Sequence, residues 1–267
     1  MMRAEAGPET SAAAGACLPA GSRLIAGIRI ADTDGGTVIA ELSAALAAGR
    51  VTRLAFVNAH CVNVARKDPD YHAALKRFLL LPDGVGVDIA GKLLHGAPFR
   101  ENLNGTDFVP RLLSALQRRP LRVALIGAAP GVAERAAGRL ARDIPAHRYI
   151  AVSDGYFGAD GRDEVLARLA AAGTDIVIVA LGVPAQERFI AEHLTSAHGR
   201  LFIGVGALLD FLAGEVVRAP KPIRALRIEW VWRLALEPGR LWRRYILGNP
   251  KFLLGILRER FSRCTGS

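Results

Sequence analysis

The sequence predicts an α/β protein built on a doubly wound parallel sheet, followed by a helical C-terminal segment. Short apolar segments alternate with helical patterns along most of the 267 residues. Several apolar segments are near-continuous runs of Val, Ile, Leu and Ala, such as 176–181, which is typical of strands buried on both faces. This alternation, in a chain with 51% hydrophobic residues, indicates a single Rossmann-like domain.

Strands and helices are predicted in order along this domain. The strands cover 24–30, 53–58, 78–83, 121–127, 148–153, 175–182 and 201–206. The helices cover 35–49, 60–77, 107–118, 131–143, 161–172 and 185–196. Further helical segments follow without a strand at 207–214, 222–236 and 239–262, the last broken near 248–250. We therefore divide the chain into a disordered leader (1–22), the Rossmann-like domain (23–214) and a basic, amphipathic, membrane-binding appendage (215–267).

The N-terminal composition, the cysteine spacing and the lengths of the apolar runs indicate the cellular compartment of the protein. Residues 1–22 are rich in Ala, Gly, Pro and Ser and carry no apolar run of signal-peptide length. Cys17, Cys61 and Cys264 are widely spaced, which suits a reducing compartment and fits neither a disulfide framework nor a zinc site. No stretch approaches the roughly 18–20 apolar residues of a membrane span. We expect a cytoplasmic protein that is peripheral on a membrane at most.

The net charge of +10 is concentrated near the C-terminus. Residues 218–263 hold twelve Lys or Arg against three Asp or Glu, together with Trp230, Trp232 and Trp242. Nucleic acid, an anionic membrane and a phosphate-rich substrate each fit such a segment. Tryptophan beside a basic face favours an interfacial helix, and no nucleic-acid recognition module is visible. We predict that the protein binds an anionic membrane surface and does not bind nucleic acid.

Ligands of such sheets bind at the carboxyl ends of the strands. Asp83, in the segment 80–86, either caps the next helix or serves as a general base. Gly182 and Gln186 lie where a strand leads into a helix, so this segment is either a tight turn or an anion site with Gln186 as an added donor.

Other turns after strands are less specific. Gly204, Gly206 and Asp210 form a glycine turn that lets a ligand approach the backbone. The turn at Gly127 lacks the G-x-G-x-x-G spacing of dinucleotide sites, which disfavours an oxidoreductase. A polar cluster before a helix either caps that helix, through Thr106 or Asp107, or touches a sugar. The cluster comprises Arg100, Glu101, Asn104, Thr106 and Asp107.

Two further motifs favour structural roles. Asp32-Thr33-Asp34 precedes two glycines and a helix, which suits a turn and cap better than a metal site. His60 and Cys61 have no third ligand or orienting base in view, so we predict a packed or hydrogen-bonded pair. No metal site is predicted.

Together these motifs resemble the WecG/TagA/CpsF glycosyltransferase family over about residues 24–255. The most specific stretch, 204–252, matches the family's order and spacing at Gly204-Val205-Gly206, Asp210-Phe211, Ala213-Gly214, Arg218-Ala219-Pro220, Glu229-Trp230, Arg233-Leu234, Glu237-Pro238, Arg240 and Arg244-Tyr245. Further matches are Leu81-Pro82-Asp83-Gly84, Gly105-Thr106-Asp107 and the Gly-x-Pro-x-Gln-Glu of residues 182–187. One departure is Asn58-Ala59-His60, where many members have Thr-x-Asn.

The resemblance implies an inverting enzyme that needs no metal or other cofactor. It implies Asp83 as general base, Gln186 in the active site, and arginines of the 218–233 region closing over the donor diphosphate, with Arg218, Arg224 and Arg227 as the predicted catalytic ones. The predicted substrate contacts are Asn58, His60, Asn104, Thr106, Asp107, Gly127, Tyr156, Gly182, Gly204, Gly206 and Asp210.

The resemblance also implies the substrates. A UDP-sugar would donate a hexose or N-acetylhexosamine, of the N-acetylmannosamine or the glucose type, to a polyprenyl-diphosphate-linked sugar. The products would be cell-surface polymers or exopolysaccharides made at the inner face of a bacterial cytoplasmic membrane. Homo-oligomerisation stays open, and a non-enzymatic membrane-surface or nucleotide-binding protein is the alternative.

Overall fold

The computed structural model describes residues 21–220, 223 and 228–265. Residues 1–20 of the predicted leader, and the predicted catalytic residues Arg224 and Arg227, lie outside the described residues.

A β-hairpin opens the described chain, where the sequence predicted one strand over 24–30. Strand β1 (Ser22–Ile25) pairs antiparallel with β2 (Ile28–Ala31). Ala26 and Gly27 form the turn between them, with φ of 52° and 78°. Positive φ at both turn residues is what a two-residue hairpin requires. The single-strand prediction was wrong because the apolar pattern runs through the turn.

A six-stranded parallel sheet forms the centre of the molecule and confirms the predicted fold class. Its strands are β3 (Thr52–Val57), β4 (Leu79–Pro82), β5 (Arg122–Gly127), β6 (Arg148–Ser153), β7 (Ile176–Ala180) and β8 (Leu201–Gly204). Their order across the sheet is β4-β3-β8-β7-β5-β6, and every neighbouring pair is parallel.

The helices of this domain follow the strands. They are α1 (Gly35–Ala47), α2 (Ala59–Ala65), α3 (Pro69–Leu75), α4 (Val85–His95), α5 (Gly105–Ala115), α6 (Val132–Asp143), α7 (Ala159–Ala172), α8 (Ala185–His193) and α9 (Leu208–Ala213). The predicted helix 60–77 is two helices, because Asp68 caps a new one and Pro69 occupies its first turn. Helix α4 was not predicted.

The C-terminal segment is helical, as expected, and is more continuous than predicted. It contains α10 (Glu229–Leu236), α11 (Pro238–Trp242), a π-helix (Arg243–Leu247) and α12 (Gly248–Thr265). The predicted break at 248–250 was wrong, because Pro250 falls in the first turn of α12, where proline is tolerated. The irregularity is the π-helix just before it. No helix among the described residues is long and apolar enough to cross a membrane.

Side chains of the sheet alternate between two apolar layers. In β3, Leu54 and Phe56 face the layer that contains α1, α5, α6 and α9, whereas Ala55 and Val57 face the layer that contains α2, α3, α8 and α12. Both faces of the sheet are therefore covered, which explains the continuous apolar runs of its strands.

Helix α12 is part of the second layer. Phe252 and Ile256 are fully buried in the core cluster. Asn63 of α2 donates its side-chain Nδ2–H to the Gly248 carbonyl at 2.8 Å, and the Glu259 carboxylate accepts from the Ala26 N–H of the hairpin at 3.1 Å. The division between domain and appendage stays a prediction, but one helix of the predicted appendage lies in the core.

Replacing Phe252 with alanine should lower the free energy of unfolding by about 3–5 kcal/mol, because it empties a fully buried aromatic site. Leu254→Ala is the matched control on the same helix, since Leu254 is 57% exposed. We expect it to cost less than about 1 kcal/mol in chemical denaturation. Equal, small losses in both variants would contradict the docking of α12.

Candidate active site

The chain opens a cleft at the carboxyl ends of β3 and β8. These strands are neighbours, but the chain leaves β3 for α2 on one face and leaves β8 for α9 on the other. Such a reversal is where open α/β sheets bind ligands. The cleft encloses about 1910 Å³. The predicted site residues that line it are Asn58, His60, Asp83, Asn104, Thr106, Asp107, Tyr156, Gly182, Gln186, Gly204, Gly206, Asp210 and Arg218.

Asp83 lies at the carboxyl end of β4 and is held by its neighbours. Its N–H donates to the Val57 carbonyl at 2.9 Å, which continues the β3–β4 ladder by one residue. Asn58 Nδ2–H donates to Asp83 Oδ2 at 3.3 Å. The Asn58 Oδ1 accepts from the N–H groups of His60 and Cys61, at 3.0 and 3.3 Å, and so caps α2. The cap uses the amide oxygen, so the NH₂ group must face Asp83.

Burial raises the pKa of the Asp83 carboxyl above its ordinary value of 3.8. The hydrogen bond from Asn58 and the positive charges of Arg244 and Arg233 act in the opposite direction. Asp107 adds a smaller effect that raises the pKa. A carboxylate with a raised pKa is a stronger base than a solvated one, which suits proton abstraction near neutral pH.

His60 and Cys61 follow Asn58 in α2 and have different environments. Burial, aided by the charge of Arg244, lowers the pKa of His60 to about 4, so the imidazole is neutral at pH 7. Burial and the nearby Glu187 raise the pKa of the Cys61 thiol to about 12. Its Sγ–H donates to the Phe56 carbonyl at 3.6 Å. Both residues border the cleft, but Cys61 is only 1% exposed and is therefore a packed thiol.

Gln186 connects the start of α8 with the glycine turn after β8. Its Oε1 accepts from the Gly206 N–H at 3.1 Å, and its Nε2–H donates to Glu187 Oε1 at 2.8 Å. A Cβ on Gly204 would lie 3.1 Å from the Gln186 Nε2, so glycine is needed for this close approach. These bonds fix the amide orientation and leave one Nε2–H for a ligand.

Glu187 is an acidic side chain in the core. It is 1% exposed, and its Oε2 has no hydrogen-bond partner among the residues that the structure describes. Burial raises its pKa to about 7, although the hydrogen bond from Gln186 lowers it in part. Cys61 and Tyr71 lie near it, and its charge contributes to the raised pKa of both. The carboxyl therefore titrates near physiological pH directly behind Gln186.

The C-terminal segment closes the cleft from above. Arg218 Nη2–H donates to Asp107 Oδ1 at 2.5 Å. Asp107 is itself paired with Asn104, which caps α5 in place of the predicted Thr106 or Asp107. Arg233 lies over the Phe211 ring at 5.5 Å from its centroid, and Trp232 donates its indole N–H to the Val217 carbonyl at 3.1 Å. The segment is thus anchored over the carboxyl edge of the sheet.

Structural partners account for several residues that had two interpretations. Asp34 caps α1 by accepting from the Thr37 N–H at 2.9 Å, and Asp32 pairs with Arg23 at 2.6 Å. Within the described residues no group of three or more His, Cys, Asp or Glu is placed to hold a metal. Gly127 does not line the cleft, and a Cβ at this position would overlap the Ala180 carbonyl of the adjacent strand.

Comparisons with known proteins show the family to which this chain belongs. A model of the glycosyl transferase WecG/TagA/CpsF family matches residues 23–265. The chain belongs to this family. It is similar to proteins named N-acetylglucosaminyldiphosphoundecaprenol N-acetyl-beta-D-mannosaminyltransferase. That of Bacillus spizizenii is 35% identical over 73% of this chain and 74% of its own length, and that of Bacillus subtilis is 33% identical over 78% and 80%.

The fold gives three residues of this WecG/TagA/CpsF member a position at the site that their motifs did not indicate. Glu187 was quoted as part of a motif without a role. Arg233 fell within the 218–233 region expected over the donor diphosphate, and Arg244 was matched only as a family motif. The fold shows that both line the cleft and lower the pKa of Asp83. Their distance from Asp83 along the chain hides this relation, since only the fold of the C-terminal segment creates it.

Glu187→Gln should change the pH dependence of stability. The pKa of Glu187 is raised from 4.5 to about 7, so the folded protein keeps a proton that the unfolded chain loses. That stabilisation is present below about pH 4.5, is lost as the pH rises to about 7, and stays lost above it. Between about pH 4.5 and 7, the unfolding free energy of wild type should fall by about 3 kcal/mol more than that of Glu187→Gln.

Chemical denaturation at several pH values measures this difference. Glu134→Gln is the matched control, because Glu134 is an exposed residue of α6, and it should leave the pH dependence of wild type intact. A Glu187→Gln profile parallel to that of wild type would contradict a buried carboxyl with a pKa near 7.

Proposed function

We propose that the protein transfers a hexose or N-acetylhexosamine from a UDP-sugar to a polyprenyl-diphosphate-linked sugar, with inversion and without a metal. The observation that carries this proposal is the Asp83 carboxylate, which lies in the cleft at the strand reversal and has a raised pKa. The names of the two Bacillus relatives supply the acceptor chemistry: a diphosphoundecaprenol that bears N-acetylglucosamine. An N-acetylmannosamine donor is the first candidate, and a glucose-type donor is the second.

Asp83 is proposed as the general base. It takes the proton from the acceptor hydroxyl while that oxygen attacks the anomeric carbon of the donor, and the bond to UDP breaks. Asn58 orients the carboxylate through one oxygen and leaves the other free for the acceptor. Neutral His60 lies in the same cleft as a hydrogen-bonding group for either sugar.

Negative charge develops on UDP as it leaves, and the cleft offers fixed donors for it. The start of α8 with its helix dipole, the glycine turn after β8 and the remaining Nε2–H of Gln186 all border the cleft. Arg218, Arg233 and Arg244 add positive charge on the opposite side. Arg224 and Arg227, which lie outside the described residues, are proposed to join them. Together these groups replace the cation that other glycosyltransferases use.

Inversion fits both the residues and the names of the relatives. A direct displacement needs one base and no covalent intermediate, and Asp83 is placed to supply that base. The relatives are named as forming a beta linkage, and ordinary UDP-hexosamines carry their sugar in the alpha configuration. One displacement converts alpha to beta.

A membrane surface is proposed as the working place of the enzyme, on the inner face of the bacterial cytoplasmic membrane. Apolar side chains of the C-terminal helices face solvent beside basic ones, a pattern that favours interfacial binding. The exposed apolar residues of this face are Trp242, Ile246, Leu247, Leu254, Leu257 and Phe261. The acceptor is held by its lipid, so binding at the surface would bring the cleft to its substrate. Homo-oligomerisation stays a prediction.

Asp83→Asn should lower kcat by about 100-fold or more, because an amide cannot accept the acceptor proton. UDP release from a panel of UDP-sugars, with the lipid-diphosphate-sugar acceptor and EDTA present, measures this loss and names the donor. Asp70→Asn is the matched control, since Asp70 is exposed on α3 outside the cleft. Undiminished transfer by Asp83→Asn would contradict the role of base, and loss of wild-type transfer in EDTA would contradict metal independence.

Ile246→Glu should weaken binding to anionic phospholipid vesicles several-fold, because it places a charge within the exposed apolar face. Vesicle co-sedimentation measures the change. Tyr156→Glu is the control, since Tyr156 is 77% exposed but follows β6, at the sheet edge opposite the strands that carry α2 and α4. Equal binding of both variants would contradict the proposed membrane face.

A further inference from the structure

A second groove continues from the mouth of the cleft, between the end of α2 and the outer face of α12. It encloses about 640 Å³. It shares Leu247, Pro250 and Lys251 with the cleft, so the two spaces are continuous. The lining residues are Arg66, Leu247, Pro250, Lys251, Leu254, Gly255 and Arg258. None of these residues has a role in the chemistry described above.

The junction of groove and cleft is strongly basic. Lys67 and Lys251 are exposed and lie side by side, and their direct contact lowers the pKa of Lys251. Like charges in contact repel unless an anion lies between them. Among the described residues, no carboxylate forms an ion pair with Lys67, Lys251, Arg66 or Arg258. Glu259 acts on Arg66 through its charge, so the positive charge of the junction is offset only in part.

Arg66 is seated in the groove by a specific contact. Its guanidinium donates from Nη1 to the Phe252 carbonyl at 3.5 Å and lies over Gly255 of α12. A Cβ at Gly255 would overlap the guanidinium, so the glycine leaves the space that this arginine occupies. A glycine inside a helix costs stability relative to alanine. The space that the Arg66 guanidinium occupies therefore explains why a glycine stands at this position of α12.

The remaining wall of the groove is apolar and open to solvent. Leu247 and Leu254 are each 57% exposed. Leu254 continues along α12 to Leu257 and Phe261, at the i+3 and i+7 positions of one helix face. A ligand bound here would meet positive charge at the cleft end and apolar side chains at the outer end.

We propose that this groove binds the diphosphate and the first isoprene units of the lipid-linked acceptor, with Lys67 and Lys251 on the diphosphate. The inference rests on the proposed function and adds a binding site to it. Two neighbouring ammonium groups match an anion with two adjacent phosphates. The exposed leucines match a hydrocarbon chain that must leave the anion on the way to the bilayer.

The geometry of α2 agrees with the order of groups in such an acceptor. Asn58 caps the first turn of α2 beside Asp83, and Lys67 lies just past its last turn. At a rise of about 1.5 Å per residue, the two are on the order of 13 Å apart along the helix. A sugar at Asp83, followed by a diphosphate at Lys67, fits this direction. The lipid would then run over Leu247 and Leu254.

Binding of farnesyl diphosphate to the full-length protein, by calorimetry, tests the proposal without requiring transfer. The double variant Lys67→Ala/Lys251→Ala should weaken binding by about 10-fold or more, since contacts to charged groups are lost. Lys67→Arg/Lys251→Arg keeps the charge and should retain most of the affinity. Lys76→Ala/Lys92→Ala removes exposed lysines elsewhere and should bind as wild type. Leu254→Asp should weaken farnesyl diphosphate binding and leave inorganic diphosphate binding unchanged.

These binding measurements test the groove separately from the proposed transferase function. Wild-type affinity in Lys67→Ala/Lys251→Ala would overturn the inference, even if transfer by the wild-type enzyme upholds the proposed function. Loss of binding to anionic phospholipid vesicles, with farnesyl diphosphate affinity unchanged, would also overturn it and would assign the lysines to lipid headgroups. Weakened farnesyl diphosphate binding would support the inference, even if no UDP-sugar is a donor, in which case the proposed function alone would fail.

Discussion

The cleft depends on the opposite directions that the chain takes after two neighbouring strands. Because β3 leads to α2 on one face and β8 leads to α9 on the other, a gap opens between these two helices at the carboxyl ends of the strands, and the C-terminal segment lies over it. Asp83 enters this gap from β4 on one side, and Gln186 enters it from α8 on the other. The parallel ladders hold these strands together, so Asp83 and the turns that precede α8 and α9 keep a fixed separation.

Helix α2 connects the surroundings of Asp83 with the C-terminal segment. Its first turn is capped by the same Asn58 that holds Asp83, and its middle is tied to Gly248 through Asn63. Phe252 of α12 fills the core against it. A shift of α12 would therefore move α2 and, with it, the base. This arrangement gives a physical route by which a membrane that binds the outer face of α12 would influence the site.

The sequence predicted well what depends on local pattern. Continuous apolar runs predicted every strand of the parallel sheet, and most of the site residues predicted from strand ends and motifs do line the cleft. Two features that the sequence did not predict, helix α4 and the burial of Glu187, depend on tertiary packing. Helix α4 was missed because Gly86 and Gly91 disfavour a helix, yet both allow close contacts, with Ala59 and Phe99 respectively. Glu187 was given no role, because acidic residues are almost always exposed and only the fold buries this one.

The central claim is a direct displacement at a sugar in which Asp83 acts as the only base. The anomeric configuration of the newly formed linkage, read from the one-bond carbon–proton coupling of the product, tests it most directly. From an alpha-linked UDP-sugar the account predicts a beta linkage. An alpha linkage would contradict it, because retention requires either a second displacement or a different attack geometry from the one that this cleft offers.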